Sequence, residues 1–183
     1  MLRGSSGDLV IKSVDNNYSY EDGLLIDKNN NTLIRCQSKS NKLEIPNSIK
    51  VIGDSAFAGS TYLQQIVIPE SVTEIGEFAF EGCTALQNVV IPDSVTEIGI
   101  NAFEGCTVLQ EIVIPNSVTE IGERAFKGCR SLEQIVIPDS VTEIGDSAFL
   151  NCRCLQEIVL PKSLAVNVTD LDVISTCKVI CKE

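Results

Sequence analysis

The stretch Pro69–Ile91 reads PESVTEIGEFAFEGCTALQNVVI, and the next unit, Pro92–Ile114, reads PDSVTEIGINAFEGCTVLQEIVI. The two units are identical at 17 of 23 positions. The same template recurs, with decreasing fidelity toward the ends, in units that begin at Pro46, Pro115, Pro138 and Pro161. A period of roughly 20–29 residues with apolar residues in L-x-x-L-x-L spacing is typical of a stacked solenoid. The sequence therefore predicts a rod of similar rungs, each packed on the next.

One unit can be interpreted residue by residue. In Pro115–Ile137 the L-x-x-L-x-L spacing is carried by Leu132, Ile135 and Ile137. Because side chains alternate along a strand, Gln134 and Val136 are predicted to point outward. Proline has no amide hydrogen for a sheet, so the strand is expected to end at the proline that opens the next unit.

The first half of the same unit predicts a second extended segment and a turn. Val118 and Ile121 are expected to return to the interior on that segment. Gly122 is expected to turn the chain in a conformation that disfavours a side chain. Ala125 and Phe126 then lead a short helical or 3₁₀ turn, with the phenylalanine as the largest core residue.

Two interior columns repeat on every rung. A phenylalanine spine is predicted from Phe57, Phe80, Phe103, Phe126 and Phe149. Beside it stand alanines, where only a small residue is expected to fit: Ala56, Ala79, Ala102, Ala125 and Ala148. Stability of such an array comes from the contacts between neighbouring rungs and from sealed ends.

The string I-P-x-S-V-T-E-I-G-x-x-A-F-x-G-C-x-x-L, which covers Pro46–Leu160, closely resembles the BspA-type leucine-rich repeat. The segment from Tyr20 to Arg35 resembles the N-terminal capping hairpin of that family. The resemblance implies an α/β repeat solenoid, a right-handed superhelix with a parallel β-sheet on one face and short helical or 3₁₀ turns elsewhere. It also implies a role in cell-surface adhesion or ligand recognition, although the family has no single ligand. Ser60 replaces the repeat cysteine in the first unit, which departs from the pattern.

Four segments follow from this interpretation. Residues 1–17 are expected to be a tag or flexible lead that includes a linker-like Gly-Ser-Ser-Gly stretch. Residues 18–45 form the hairpin-like N-terminal cap, residues 46–160 form five 23-residue repeats, and residues 161–183 form a partial repeat with the C-terminal cap. The N-terminus lacks the apolar core of a signal peptide.

The net charge of −11 resides in the repeats that begin at Pro69, Pro92 and Pro138. Phosphate contacts need clustered Lys or Arg, so an acidic repeat face argues against nucleic acid as a partner. It also argues against anionic membrane surfaces. No apolar run reaches the roughly 18 residues that membrane insertion requires.

Catalysis finds no support among the residue types. The chain has 0 His, so neither a Ser-His-Asp nor a Cys-His nucleophile can be assembled. No glycine-rich phosphate loop precedes a helix, and neither a cofactor nor a metal is expected. We therefore predict a protein that is not an enzyme.

The outward strand positions are the candidate binding site. One column, here the valine column, is apolar and consists of Val67, Val90, Val113, Val136 and Val159. Beside it, the polar column consists of Gln65, Asn88, Glu111, Gln134 and Glu157. Contiguous exposed apolar surface often marks an interaction site. The alternative is that valine is kept for its β propensity alone.

The second extended segment carries a glutamate ladder that consists of Glu74, Glu97, Glu120 and Glu143. Rungs roughly 5 Å apart would make these carboxylates repel unless they are solvated or bridged by cations. A straight column is a weak match to the converging oxygens that calcium prefers. We therefore expect a solvated acidic face. The adjacent threonine column is interrupted by glutamate, which disfavours an ice-binding surface.

A thiol column consists of Cys83, Cys106, Cys129 and Cys152. Side chains that point inward in parallel are expected to behave as small buried hydrophobes, in the reduced state. Cys154, Cys177 and Cys181 are candidates for a disulfide that seals the C-terminal end. Zinc is disfavoured because the chain has neither His nor a C-x₂-C pair. Three N-x-[ST] sequons, at Asn17, Asn30 and Asn167, are compatible with glycosylation.

The favoured hypothesis is a non-enzymatic binding module, extracellular or at the cell surface, that recognises a host or cell-surface protein through its exposed sheet face. The alternative is a structural spacer or self-associating rod. An engineered consensus scaffold is a third possibility. Variation at positions predicted to point outward disfavours the third, namely at Phe78, Ile100, Asn101 and Arg124. Oligomeric state stays open.

Overall fold

The computed structural model describes residues 16–164, 173 and 175–182. The linker-like stretch near the N-terminus and the sequon at Asn167 lie outside the described residues. The described chain is a solenoid of about 6 turns built from short strands. None of its described residues forms a helix long and apolar enough to cross a membrane.

Short strands follow one another along the described chain. They are β1 (Tyr18–Glu21), β2 (Leu24–Asp27), β3 (Thr32–Cys36), β4 (Lys42–Glu44), β5 (Val51–Ile52), β6 (Gln65–Val67), β7 (Glu74–Ile75), β8 (Asn88–Val90), β9 (Glu97–Ile98), β10 (Glu111–Val113), β11 (Glu120–Ile121), β12 (Gln134–Val136), β13 (Glu143–Ile144), β14 (Glu157–Leu160) and β15 (Lys178–Cys181).

The L-x-x-L-x-L strands form a parallel sheet along one side of the solenoid. Its first part has the order β10-β8-β6-β4, and its second part has the order β12-β14-β15. Equivalent positions of successive repeats lie opposite each other in this sheet: Glu111 lies opposite Asn88, and Val113 lies opposite Val90. No strand pairing joins β10 to β12, so the ladder of this sheet is interrupted between those two rungs.

The second extended segments form another sheet, where the sequence predicted a sheet on one face only. Its order is β1-β2-β3-β5-β7-β9-β11-β13. The pairs β1–β2 and β2–β3 are antiparallel, whereas β3 pairs with β5 in parallel. The one-sheet prediction is wrong because the Thr-Glu-Ile segment of each rung is extended as well and pairs with its neighbours.

The predicted helical turns are also wrong, because the Ala-Phe segments form non-helical turns. Within one turn the Lys127 amide donates to the Arg124 carbonyl at 3.0 Å. The Phe126 amide instead donates to the Ala148 carbonyl of the next rung, at 2.9 Å. Hydrogen bonds that alternate between the turn and the next rung, with φ of +53° at Arg124, prevent a helix from propagating. A 3₁₀ turn occurs at residues 162–164, beyond the repeats.

The interior columns are confirmed. All five rings of the phenylalanine spine are inaccessible to solvent, and so are the alanines beside them. Successive rings stack nearly parallel, with centroids 4.9 Å apart for Phe57 and Phe80 and 5.6 Å apart for Phe126 and Phe149. Val118 and Ile121 are fully buried, as predicted. The core is therefore one continuous column that every rung extends by the same set of side chains.

Gly122 is required for a different reason from the one that the sequence suggested. It does not have a positive φ; a Cβ there would lie 2.7 Å from the Ile100 nitrogen of the preceding rung. The left-handed glycine of this rung is Gly128, at φ +74°. Two glycines in one rung thus meet two separate requirements, close approach of neighbouring backbones and a left-handed turn.

The prediction that Asn101 points outward is wrong. Its side chain is only 6% exposed, and its Oδ1 accepts no hydrogen bond among the described residues. The residue has φ +54°, a conformation that asparagine tolerates better than most residues. Of the other three positions predicted outward, Ile100 and Arg124 are exposed and Phe78 is half-buried.

Candidate functional site

The valine column lies on the outer side of the L-x-x-L-x-L sheet. Val67, Val90, Val113 and Val136 are 50%, 64%, 58% and 55% exposed, respectively. On each of these strands the residue before the exposed valine, such as Ile66 or Ile112, points into the core, because side chains alternate along a strand. The sheet therefore presents contiguous apolar surface to solvent, as the sequence predicted.

The polar column stands next to the valines. Its first four members are exposed, and Glu157 is half-buried with its carboxylate 3.9 Å from the ammonium of Lys178. A further exposed column, which sequence reasoning missed, precedes each strand: Gln64, Gln87, Gln110, Glu133 and Gln156. Its signal was visible in the repeat, since amide or carboxylate side chains recur there in every unit.

The C-terminal end of this face differs from its middle. Val159 is half-buried, and β15 pairs alongside β14 so that Ile180 lies opposite it. The same pairing sets Lys178 opposite Glu157. The most open part of the face therefore lies over β6, β8, β10 and β12.

A groove of about 500 Å³ opens where the strand ladder is interrupted between β10 and β12. Val113 and Val136 line it, and buried isoleucines from both strands form its base. At the end where these strands lead into the proline corners, Lys182 reaches back from the C-terminal segment. Its ammonium lies 2.8 Å from the Asp139 carboxylate.

The opposite end of the same two strands is polar. A smaller cleft of about 310 Å³ is lined there by Gln110, Glu111, Glu133 and Gln134. Among the ion pairs of the described residues, none involves Glu111 or Glu133. The two ends of the junction between β10 and β12 thus differ in charge. One end carries two carboxylates without a cationic partner among the described residues, and the other end carries an aspartate that is neutralised by Lys182.

The glutamate ladder lies on the other sheet. Glu120 is directly opposite Glu97 on one neighbouring strand and Glu143 on the other. Burial, together with repulsion from these two carboxylates, raises the pKa of Glu120 above its ordinary value. Threonine hydroxyls beside the ladder donate to carbonyls of the preceding rung, as Thr119 does to Thr96 at 3.2 Å. Among the described residues, no three His, Cys, Asp or Glu side chains form a group that could hold a metal ion.

Replacing Glu120 with Gln is expected to raise the melting temperature at pH 7 by about 1–2 °C. A raised folded-state pKa means that the folded chain binds more protons, so stability falls as pH rises from the ordinary glutamate pKa through the raised one. The advantage of Glu120→Gln should therefore vanish near pH 4. Thermal melts across this range, with Glu70→Gln as an exposed control outside the ladder, measure the effect. An equal gain for both variants at pH 7 would contradict the ladder repulsion.

The thiol column is buried, as predicted. Each thiol donates to the carbonyl of a phenylalanine in the preceding rung, as Cys129 does to Phe103 at 3.3 Å. Burial raises the pKa of Cys152 to about 12 and that of Cys129 well above its ordinary value. Since the thiolate is the nucleophile, these groups are unreactive in the folded chain. Cys36, to which the sequence analysis assigned no role, is half-buried at the end of β3, and burial raises the pKa of its thiol above the ordinary value.

Cys154 and Cys181 are exposed and Cys177 is half-buried, and all three are free thiols in the structure. A disulfide among them therefore stays a prediction. The Asn30 sequon lies in the turn between β2 and β3, where the exposed Asn30 accepts a hydrogen bond from the Thr32 amide at 3.2 Å. Asn17 is exposed as well.

A maleimide at pH 8 is expected to label Cys154 and Cys181 quickly, and the thiol column only after unfolding. The physical reason is twofold: burial blocks the reagent, and a raised pKa removes the thiolate that it attacks. Peptide mass spectrometry after timed labelling measures each site, and labelling in guanidinium should reach all 8 cysteines. Equal rates for Cys129 and Cys154 in the native protein would show that the rungs open readily.

Comparison with known proteins agrees with this architecture. The profile of the BspA type Leucine rich repeat region matches in 6 copies, over residues 29–156 and 73–179. A Leucine Rich Repeat protein of T. pallidum is 35% identical, with 78% of this chain and 67% of that chain covered and a TM-score of 0.69. No curated protein matches the chain.

Two further solved structures are longer than this chain. A leucine-rich repeat protein from Bacteroides ovatus is 32% identical over 81% of this chain and 47% of that one, with a TM-score of 0.63. A leucine rich cell surface protein from Faecalibacterium prausnitzii is 29% identical over 92% of this chain and 40% of that one, also with a TM-score of 0.63. This chain thus spans less than half of either protein. With the repeat profile matching most of its length, the chain belongs to the BspA-type leucine-rich repeat family.

Proposed function

We propose that the chain is a non-enzymatic protein-binding module that recognises a host or cell-surface protein through the valine column and the polar columns beside it. The observation that carries the proposal is the apolar stripe itself, formed by four neighbouring valines that are each half or more exposed. Folded proteins rarely leave contiguous apolar surface open without a use for it.

The face has the composition of an interface. Specific interfaces combine an apolar centre with a polar rim that supplies hydrogen bonds. Here the valines form the centre, and the exposed amides and carboxylates of the adjoining columns form the rim. The strands hold these groups in fixed register, so that little conformational freedom is lost on binding.

An extracellular or cell-surface location is part of the proposal. It is supported by the relative from Faecalibacterium prausnitzii, which is described as a cell surface protein. That relative is more than twice as long as the part aligned here, so its location is carried over to this chain only as a proposal.

The test is capture from extracts of extracellular and cell-surface proteins. The parent chain is compared with the double variant Val113→Asp, Val136→Asp, whose fold is first verified by circular dichroism. A partner that binds this face would have to bury the two new carboxylates in an apolar contact. The double variant should therefore no longer capture such a partner. Val108→Asp is a matched control, because Val108 is exposed but lies outside the strands.

A partner captured by the parent and by Val108→Asp, but not by the double variant, would support the proposal. Capture by all three chains would place binding elsewhere on the molecule. Capture by none of them would favour the spacer or self-associating rod.

The rod alternative has one observation in its favour. Strands β4 and β15 are the terminal strands of their sheets, and each pairs with one described strand. Edge strands of this kind can pair with another copy. In a head-to-tail continuation in the same register, however, Lys178 would lie beside Lys42, because both continue the polar column. Like charges directly opposite are destabilising, so we favour the binding module.

A further inference from the structure

The interrupted junction between β10 and β12 combines the features of an anchoring point on the proposed binding face. It is the one place in the repeats where neighbouring L-x-x-L-x-L strands, all within the described residues, are unpaired. A groove of about 500 Å³ opens there between Val113 and Val136, with Ile112, Ile114 and Ile135 beneath. A second groove of about 690 Å³ lies beside the paired strands β4 and β6, but there the Glu44 carboxylate lies 3.9 Å from the Lys42 ammonium.

The charges at this junction select the chemistry of a partner. Glu111 and Glu133 border the cleft at one end and take part in no ion pair among the described residues. At the other end Lys182 already neutralises Asp139. A cationic group would therefore gain attraction at the first end only. The overall charge of −11 repels an acidic partner from the whole surface.

We propose that this junction receives an extended partner segment in which a Lys or Arg stands two residues away from an apolar side chain, so that both face the sheet. An apolar side chain enters between Val113 and Val136, and a cationic side chain pairs with Glu111 and Glu133. Side chains two residues apart on an extended segment share one face at a spacing of about 6.6 Å, which matches the two-residue separation of Glu111 and Val113 along β10. The inference rests on the proposed function and specifies its partner chemistry.

The two kinds of contact have distinct roles in recognition. Binding energy concentrates where an apolar side chain fills a desolvated pocket, which is the role of the groove. Exposed carboxylates contribute mainly to the rate of association and to selection among partners, and their effect is weakened by salt. Binding should therefore depend on both kinds of contact and decrease as salt rises.

The probes are two fluorescein-labelled synthetic peptides of equal length, one repeating Val-Ser-Lys-Ser and the other repeating Val-Ser-Glu-Ser, so that the apolar and charged side chains share one face when the peptide is extended. Fluorescence anisotropy at low salt measures the binding of each to the parent chain. The lysine peptide is expected to bind, and Glu111→Gln, Glu133→Gln should weaken it by about tenfold or more. The double variant Val113→Asp, Val136→Asp tests the apolar contact, which should be lost although negative charge is added.

The matched control for charge is Glu74→Gln, Glu97→Gln, which removes the same charge from the other sheet. It should change the affinity by less than about twofold, because these carboxylates lie outside the groove. Equal weakening by both glutamine pairs would overturn the proposal in favour of general attraction to an acidic chain. Equal binding of the glutamate peptide would overturn it as well.

The experiment separates this inference from the proposed function. If neither peptide binds, while capture of a natural partner still depends on Val113 and Val136, the inferred partner chemistry is wrong and the binding module stands. If capture also fails, the proposed function falls with it. Each variant is tested as the full chain after its fold has been verified by circular dichroism.

Discussion

Phe103→Ala is expected to lower the free energy of unfolding by about 3–5 kcal/mol. The ring is fully buried and stacks on both sides, with centroids 5.1 Å from Phe80 and 5.6 Å from Phe126. Removing it leaves a cavity between two rungs, and stacked neighbours can close that cavity only by giving up contacts of their own. Guanidinium denaturation followed by circular dichroism measures the loss.

Phe78→Ala provides a matched control for this experiment. Phe78 is half-buried, lies outside the spine and has φ +56°, which alanine and phenylalanine tolerate equally poorly. The same change of side chain should therefore cost about 1 kcal/mol or less. Similar losses for the two variants would show that the spine does not dominate the stability of the stack.

The second large effect is expected for Gly122→Ala, which should cost about 3 kcal/mol. A Cβ at this position would lie 2.7 Å from the Ile100 nitrogen and 2.8 Å from the Gly99 carbonyl carbon. Both are backbone atoms of the preceding rung, so the clash can be relieved only by separating the rungs. Such separation stretches the hydrogen bond from the Gly122 amide to the Ile98 carbonyl, now 2.8 Å.

Gly128→Ala in the same rung isolates the other requirement for glycine. Its Cβ would lie 3.7 Å from Gly105, an ordinary contact, but φ is +74°. The expected loss of unfolding free energy is then about 1 kcal/mol. It is the strain of an alanine at positive φ, reduced by the stabilisation that comes from a less flexible unfolded chain. Denaturation of both variants should rank Gly122→Ala as clearly less stable. The reverse order would show that turn geometry, and not close approach, limits the spacing of the rungs.

The repeat was sufficient to predict the rungs and their core because each rung presents the same environment to the next. Inward positions such as Phe126 and Val118 follow from spacing alone, since a solenoid buries the same residues in every turn. Outward strand residues such as Val113 follow from the alternation of side chains along an extended chain.

The turns could not be predicted in the same way, because their conformation is decided by partners in the neighbouring rung. The Ala-Phe segment has residues suited to a helical turn, yet amides such as that of Phe126 donate across to the next rung. The burial of Asn101 could not be predicted either. Ser55, Phe78, Arg124 and Ser147 stand at the same position in the other repeats with the same left-handed backbone, yet of this set Asn101 is the buried one.

The candidate site was predicted as columns and not as a groove. Repetition identifies positions that share a face, but every rung gives the same signal, so no single junction is distinguished. The interruption between β10 and β12 occurs at one junction between rungs whose sequences follow the common template. The pairing of Lys182 with Asp139 depends on a C-terminal segment that lies outside the repeat pattern. Both features required the assembled structure.

The most direct test of the account is photo-crosslinking from single positions. A benzophenone amino acid is placed at Val113 on the sheet face or, in a second chain, at Glu97 on the other sheet. Each chain is then irradiated in an extract of extracellular and cell-surface proteins, and the products are identified by mass spectrometry. A specific adduct is expected from position 113 and none from position 97. Adducts from position 97 alone, or the same adducts from both positions, would contradict recognition through the valine column.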